Sequence, residues 1–206
     1  KSIHQHNMAQ YSSDWIHILE NLQHWTYYWH QVELARSVIT PGDQILEIGV
    51  GTKFTSNYLK SKDHQVTTLD IDPEKDPDIQ ANIVDHELDK KFDHVLAFEV
   101  FEHMPFEDFE KVLIKLHRVC RKNLLISLPR NEKLWLQWSV QWPGRKRCSF
   151  RLTTRRRKII SAHHHWEVDF YPYTKNKLEQ TFSKHGYAIA LFRKVDSLLF
   201  YVLTIL

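Results

Sequence analysis

Apolar positions recur at helical spacing through residues 11–39 (Trp15, Ile18, Leu19, Leu22, Trp25, then Trp29, Val32, Ala35, Val38 and Ile39). They predict one or two helices, an N-terminal helical cap over residues 1–40. Pro41-Gly42-Asp43 is turn chemistry. Strand-like and helical patterns then alternate. Near-continuous apolar runs at 44–49, 65–71, 94–100 and 123–129 read as buried strands, and 78–84 as a shorter strand-like piece. Helical patterns fall at 52–62 and 106–121, the second opening with Pro105 and the acidic pair Glu107 and Asp108 that suits a helix N-terminus. Such alternation predicts an α/β domain, a doubly wound, mostly parallel sheet with helices on both faces.

The end of the chain departs from that rhythm. A helix over 174–185 stops at Gly186, and strands at 187–195 and 197–206 follow, joined by about Asp196-Ser197. A link that short permits only an antiparallel hairpin. Residues 130–173 carry no clear periodicity and form an aromatic and basic insertion, expected to lie near the active site, with Trp135, Trp138, Trp142 and Phe150.

Composition adds limits. A chain of 206 residues, 42% hydrophobic and 13% aromatic, fits one globular domain. Two cysteines, Cys120 and Cys148, make no framework, so a reducing, cytoplasmic setting is expected. No stretch approaches the ~20 apolar residues of a membrane span. No signal-peptide h-region stands at the start, although a first residue other than Met leaves a removed targeting segment open. Net charge is +3, yet residues 145–158 hold eight basic side chains and no acid. Taking those eight from +3 leaves the rest of the chain at −5.

Candidate chemistry begins in "QILEIGVGTKFTS". Gly49 and Gly51 follow a buried strand at G-x-G spacing, and Lys53 stands where a dinucleotide loop would place a third glycine. Glu47, two residues before Gly49, suits a ligand with an amine better than a pyrophosphate. Asp70, about 20 residues past the loop, can take ribose hydroxyls, and Asp85 follows near the third strand end. This combination favours a nucleoside with an amino-acid tail.

"ILEIGVGTKFTSNYL", "VTTLDIDP", "ANIVDHEL" and "FDHVLAFEVFEHM" resemble, in order and spacing, the successive motifs of class I S-adenosylmethionine-dependent methyltransferases. The motifs span about 36–130, and the closing helix and hairpin match that family's seven-stranded sheet. The resemblance implies S-adenosyl-L-methionine as cofactor. Glu47, Gly49 and Gly51 would line its methionine part and Asp70 would hold the ribose hydroxyls. Ile71 would pack on the adenine, Asp85 would contact its amino group, His86 would be a neighbouring contact, and Glu99 would lie beside the cofactor. Lys53 departs from the pattern.

Glu99, Glu102 and His103 fall at the C-terminal edge of the fourth strand, where ligands bind in open α/β sheets. A similar E-x-x-E-H arrangement occurs in metal-assisted ubiquinone-biosynthesis and small-RNA-end methyltransferases and in many metal-free relatives. No metal is expected here, and these residues are expected to line the pocket. His163, His164 and His165 form a second cluster that can supply a general base, because imidazole titrates near working pH. The candidate catalytic set is Glu99, His103 and His165. A small-molecule or lipid-like, anionic acceptor with a hydroxyl or amine is the first expectation. A nucleic acid or an anionic membrane surface, met through 145–158, is the alternative. A non-catalytic cofactor-binding subunit is a further alternative, and an NAD-dependent oxidoreductase is disfavoured by the missing glycine and by Glu47.

Overall fold

A computed structural model describes residues 21–144, 148–156 and 158–206. Residues 1–20 of the expected cap, with Trp15, Ile18 and Leu19, lie outside the described residues, as do Arg145, Lys146, Arg147 and Arg157 of the basic run.

Helix α1 (Leu22–Arg36) precedes β1 (Gln44–Ile48), α2 (Phe54–Lys60), β2 (Gln65–Asp70), β3 (Ile79–Gln80) and β4 (Phe92–Phe98). Next come α3 (Phe106–Val119), β5 (Cys120–Pro129), β6 (Glu132–Val140), β7 (Cys148–Arg155), α4 (Lys175–Lys184), β8 (Tyr187–Val195) and β9 (Leu198–Ile205). Seven strands form one sheet in the order β3-β2-β1-β4-β5-β9-β8, while β6 and β7 pair separately. β1 through β5 run parallel, and β9 is antiparallel to both β5 and β8. The expected doubly wound sheet with a C-terminal hairpin is present.

Alternation along each strand splits the core in two, because successive side chains point to opposite faces. Leu46, Val95, Ala97, Leu124, Ile126 and Tyr201 pack with α3 and α4 on one face, around Phe109, Leu113 and Phe182. Ile45, Leu96, Phe98, Leu125, Phe200 and Val202 pack on the other with Leu34 and Ala35 of α1 and with Leu59 of α2. Strands buried on both faces explain the continuous apolar runs. Among the described residues no helix is long and apolar enough to cross a membrane.

Two elements differ from the sequence expectation. The strand-like piece at 78–84 is only the two-residue β3, because the chain turns at Asn82: its carbonyl accepts from the amides of Asp85 and His86 at 3.1 and 2.9 Å. Residues 130–173 contain the β6–β7 hairpin, whose period-two pattern is broken by a bulge between Leu134 and Leu136.

Candidate functional site

The parallel strands end together at their C-terminal edge, and a cavity of about 1040 Å³ opens there. That volume lies at the upper end of small-molecule sites, roughly 300–1,000 Å³, and leaves room for two ligands side by side. Glu47, Gly49, Gly51, Asp70, Ile71, Glu99, His103 and His165 all line it.

The β1–α2 loop is shaped by three left-handed residues. Gly49 has φ +72°, donates its amide to the Leu69 carbonyl at 2.8 Å, and passes so close to Val100 that a Cβ would sit 2.5 Å from Val100 Cγ2. Gly51 has φ +51°, and a Cβ there would meet nothing within 4 Å, so its backbone faces open cavity. Lys53 stands at the start of α2 with φ +59°, the conformation a glycine adopts without steric cost. Its Nζ donates to the Asp76 carbonyl at 2.7 Å and ties this loop to the one after β2.

Glu47 is buried on β1, shares hydrogen bonds with Ser56, and keeps Oε2 without a partner among the described residues. Burial pushes its carboxyl up to about 7, against the Ser56 hydrogen bonds that pull it down. Asp70 ends β2 with its carboxylate fixed by two amides, Val50 N at 2.8 Å and Asp72 N at 2.9 Å. Lys75 Nζ lies 3.7 Å from it. A fixed carboxylate between the loop and a lysine suits paired hydroxyls, and the orphaned Glu47 oxygen suits an ammonium. Both match a nucleoside with an amino-acid tail.

Two expected contacts fall outside the cavity lining. Asp85 is exposed, and neither it nor His86 lines the cavity. With β3 so short, the turn at Asn82 presents Asn82, Ile83 and Val84 to the cavity and carries Asp85 past it. Lys115 of α3 holds that turn, its Nζ donating to the carbonyls of Ile83 (3.0 Å), Val84 (3.0 Å) and His86 (2.6 Å). The sequence reading also missed the wall built by α1, where His24, Tyr27, Tyr28 and Gln31 face the cavity.

The acid–histidine cluster lines the same cavity. Glu99 follows β4 in a left-handed conformation (φ +54°), and burial pushes its carboxyl up to about 7. Glu102 is fully buried with Oε2 unpartnered among the described residues; burial, then the charge of Glu99, drives its carboxyl well above the usual range. His103 is pulled down to about 4, chiefly by burial, against a hydrogen bond to the His163 carbonyl at 3.2 Å. Of the three consecutive histidines, His164 and His165 line the cavity and His163 does not. Trp166 anchors them: it is buried on Phe106 and Phe109 and donates Nε1–H to the Met104 carbonyl at 3.1 Å. The His165 amide donates to the Glu102 carbonyl at 2.8 Å, and His164 Nδ1 meets Glu167 at 2.8 Å. Glu102, His103 and His164 put ligand-capable atoms within 4.8 Å of one another, a spacing that could hold a divalent cation.

A Rossmann-like sheet closed by an antiparallel hairpin, with acids rather than a third glycine at its nucleotide loop, defines a methyltransferase architecture. Residues 46–127 match the family described as Methyltransferase domain. No curated protein matches it by sequence. Its fold is similar to that of the glycopeptide N-methyltransferase MtfA complexed with S-adenosyl-L-methionine (TM-score 0.60, 13% identity, covering 87% of this chain and 94% of that one). It is also similar to the magnesium protoporphyrin IX methyltransferase of Synechocystis PCC 6803 with bound SAH (0.62, 13%, 89% and 84%). A third similar structure is the Burkholderia thailandensis 1,6-didemethyltoxoflavin-N1-methyltransferase with bound 1,6-didemethyltoxoflavin and S-adenosylhomocysteine (0.59, 13%, 88% and 80%).

Proposed function

We propose that the protein methylates a hydroxyl or amine of a small, anionic or lipid-like molecule, with Glu99 as the general base. The observation that carries this reading is a carboxyl in the cavity whose burial raises it to about 7. Such a group is part ionised at neutral pH and still basic enough to accept a proton.

When bound, S-adenosylmethionine supplies a methyl group on a cationic sulfur. Glu47, with the backbone at Gly49 and Gly51, would hold the methionine end, Asp70 would hold the ribose, and Ile71 with Asn82–Val84 would enclose the adenine. That methyl would pass to the acceptor oxygen or nitrogen, leaving the carbon–sulfur electron pair with the departing thioether. Glu99 takes the acceptor proton and releases it to solvent, while His103, held neutral, and His165 orient the acceptor. In-line positioning does much of the work in such a transfer. Solved structures of similar fold are named for a glycopeptide, a porphyrin and a toxoflavin precursor, which supports a small-molecule acceptor over a nucleic acid.

The test has two stages. Isotopically labelled S-adenosylmethionine incubated with a metabolite and lipid extract identifies the acceptor by mass spectrometry. With that acceptor, kcat should rise as pH passes about 7, and Glu99→Gln should lower it by roughly 10²–10⁴ while SAH affinity stays within a few-fold. A pH-independent wild-type rate matched by the variant would remove Glu99 as the base.

A further inference from the structure

The β6–β7 hairpin stands outside the main sheet, and its two faces are unequal. Register places Leu136 opposite Leu152, Trp138 opposite Phe150 and Val140 opposite Cys148, all on one face. The bulge between Leu134 and Leu136 adds Trp135 to that face, since its indole donates to Thr154 Oγ1 at 2.6 Å and lies under the Lys133 ammonium. The opposite face is tied to the body of the protein. Arg151 pairs with Asp196, Thr153 bonds Glu132, and Glu132 holds Lys194 at 2.6 Å. The apolar face points the other way, with Trp135, Leu136, Trp138, Phe150 and Leu152 each at least half exposed. Five large apolar side chains on one ribbon form a patch that calls for a partner.

We propose that this face docks the protein on an anionic lipid surface. Charge decides the partner. Residues 133–166 contain nine Lys or Arg and no Asp or Glu. A second copy of the chain meeting this face symmetrically would offer Lys133 no acidic partner, since no acid lies on this face among the described residues. An anionic bilayer supplies the opposite charge over the whole patch. The side chains also discriminate. Leu136, Val140 and Leu152 have no π-face on which a base could stack, whereas hydrocarbon accepts them. Tryptophan is suited to the boundary between headgroup and acyl chain. The hairpin would lie in the interface with its apolar face down and Lys133 and Lys158, both exposed, at the headgroups.

Vesicle co-sedimentation tests the proposal without turnover, so it stands or falls independently of the acceptor assignment. The full chain should pellet with vesicles of phosphatidylglycerol and phosphatidylcholine in equal parts, not with phosphatidylcholine alone, and raised salt should release it. Trp138→Ser with Phe150→Ser should weaken binding at least tenfold, as should Lys133→Glu with Lys158→Glu. Both pairs should leave SAH affinity and the melting temperature unchanged, because these side chains are exposed and away from the cavity. Vesicle binding unaffected by the Trp138/Phe150 pair would overturn the proposal. So would a concentration-dependent dimer dissolved by that pair, or single-stranded RNA binding that it abolishes while vesicles go unbound.

Discussion

Gly49→Ala should damage the nucleotide loop through two separable effects. An L-residue in the left-handed region costs about 1–2 kcal/mol, and Gly49 sits at φ +72°. The added methyl would also lie 2.5 Å from Val100 Cγ2, a short branched side chain that cannot swing clear. Overpacking of this kind costs typically about 1–3 kcal/mol. The expected loss is therefore about 2–5 kcal/mol, the sum of those two terms. Because the Gly49 amide donates to Leu69, the displacement also pulls on the β1–β2 junction beside Asp70. Combining Gly49→Ala with Val100→Ala deletes the clashing Cγ2 and should return the packing part while leaving the backbone part. Urea denaturation of the two single variants, the double variant and wild type gives a coupling energy, expected at about 1–3 kcal/mol. Gly51→Ala is the control: nothing lies within 4 Å of the place its methyl would take, so it should show no coupling to Val100. Additivity of Gly49→Ala and Val100→Ala within about 0.5 kcal/mol would refute the clash as the cause.

Lys115→Met removes three charge-assisted hydrogen bonds from the Asn82 turn and should weaken SAH binding about tenfold, ~1.4 kcal/mol; calorimetry showing unchanged affinity would separate that turn from the cofactor. Glu47 titrates at about 7 when folded against an ordinary 4.5, so its contribution to stability is fully present below 4.5 and is lost as pH rises through about 7. Apo wild type and Glu47→Gln should therefore unfold alike at low pH, with the variant increasingly the more stable towards pH 8, and parallel melting curves would contradict the burial effect. If Glu102, His103 and His164 serve as pocket lining, turnover should persist in excess chelator. Loss of activity restored by Mg²⁺ or Mn²⁺ would make them ligands instead.

The parallel strands were legible because Ile45 to Ile48, Val95 to Phe98 and Leu124 to Ile126 are buried on both faces and read as near-continuous apolar runs, broken only by Glu47. Asp196-Ser197 made the last hairpin legible by brevity alone. The β6–β7 hairpin was hidden because its bulge breaks the period of two and its apolar face has no cover among the described residues to give it meaning. Asp85 and His86 fall outside the cavity lining because β3 is only two residues long and the chain turns at Asn82 before reaching them. The α1 wall was visible as a helix, but helical spacing cannot say which turn meets a cavity formed by distant loops. His164 and His165 were indistinguishable from His163 until Trp166 fixed their direction.

Helix α1 belongs to two structures at once. Its Leu34 and Ala35 close the second core cluster, while Tyr27 and Gln31, one turn apart, face the cavity, and Gln31 accepts the Thr55 hydroxyl at 2.8 Å. Seating the helix and filling the cavity are consequently one thermodynamic event. A ligand that binds only the seated form suppresses opening by the factor 1 + [L]/Kd. Amide protons along α1, and those of α2 bonded to it through Thr55, should share that slowing as a single exchange unit. Occupancy of the site is thereby communicated to the core on the sheet face opposite α3 and α4.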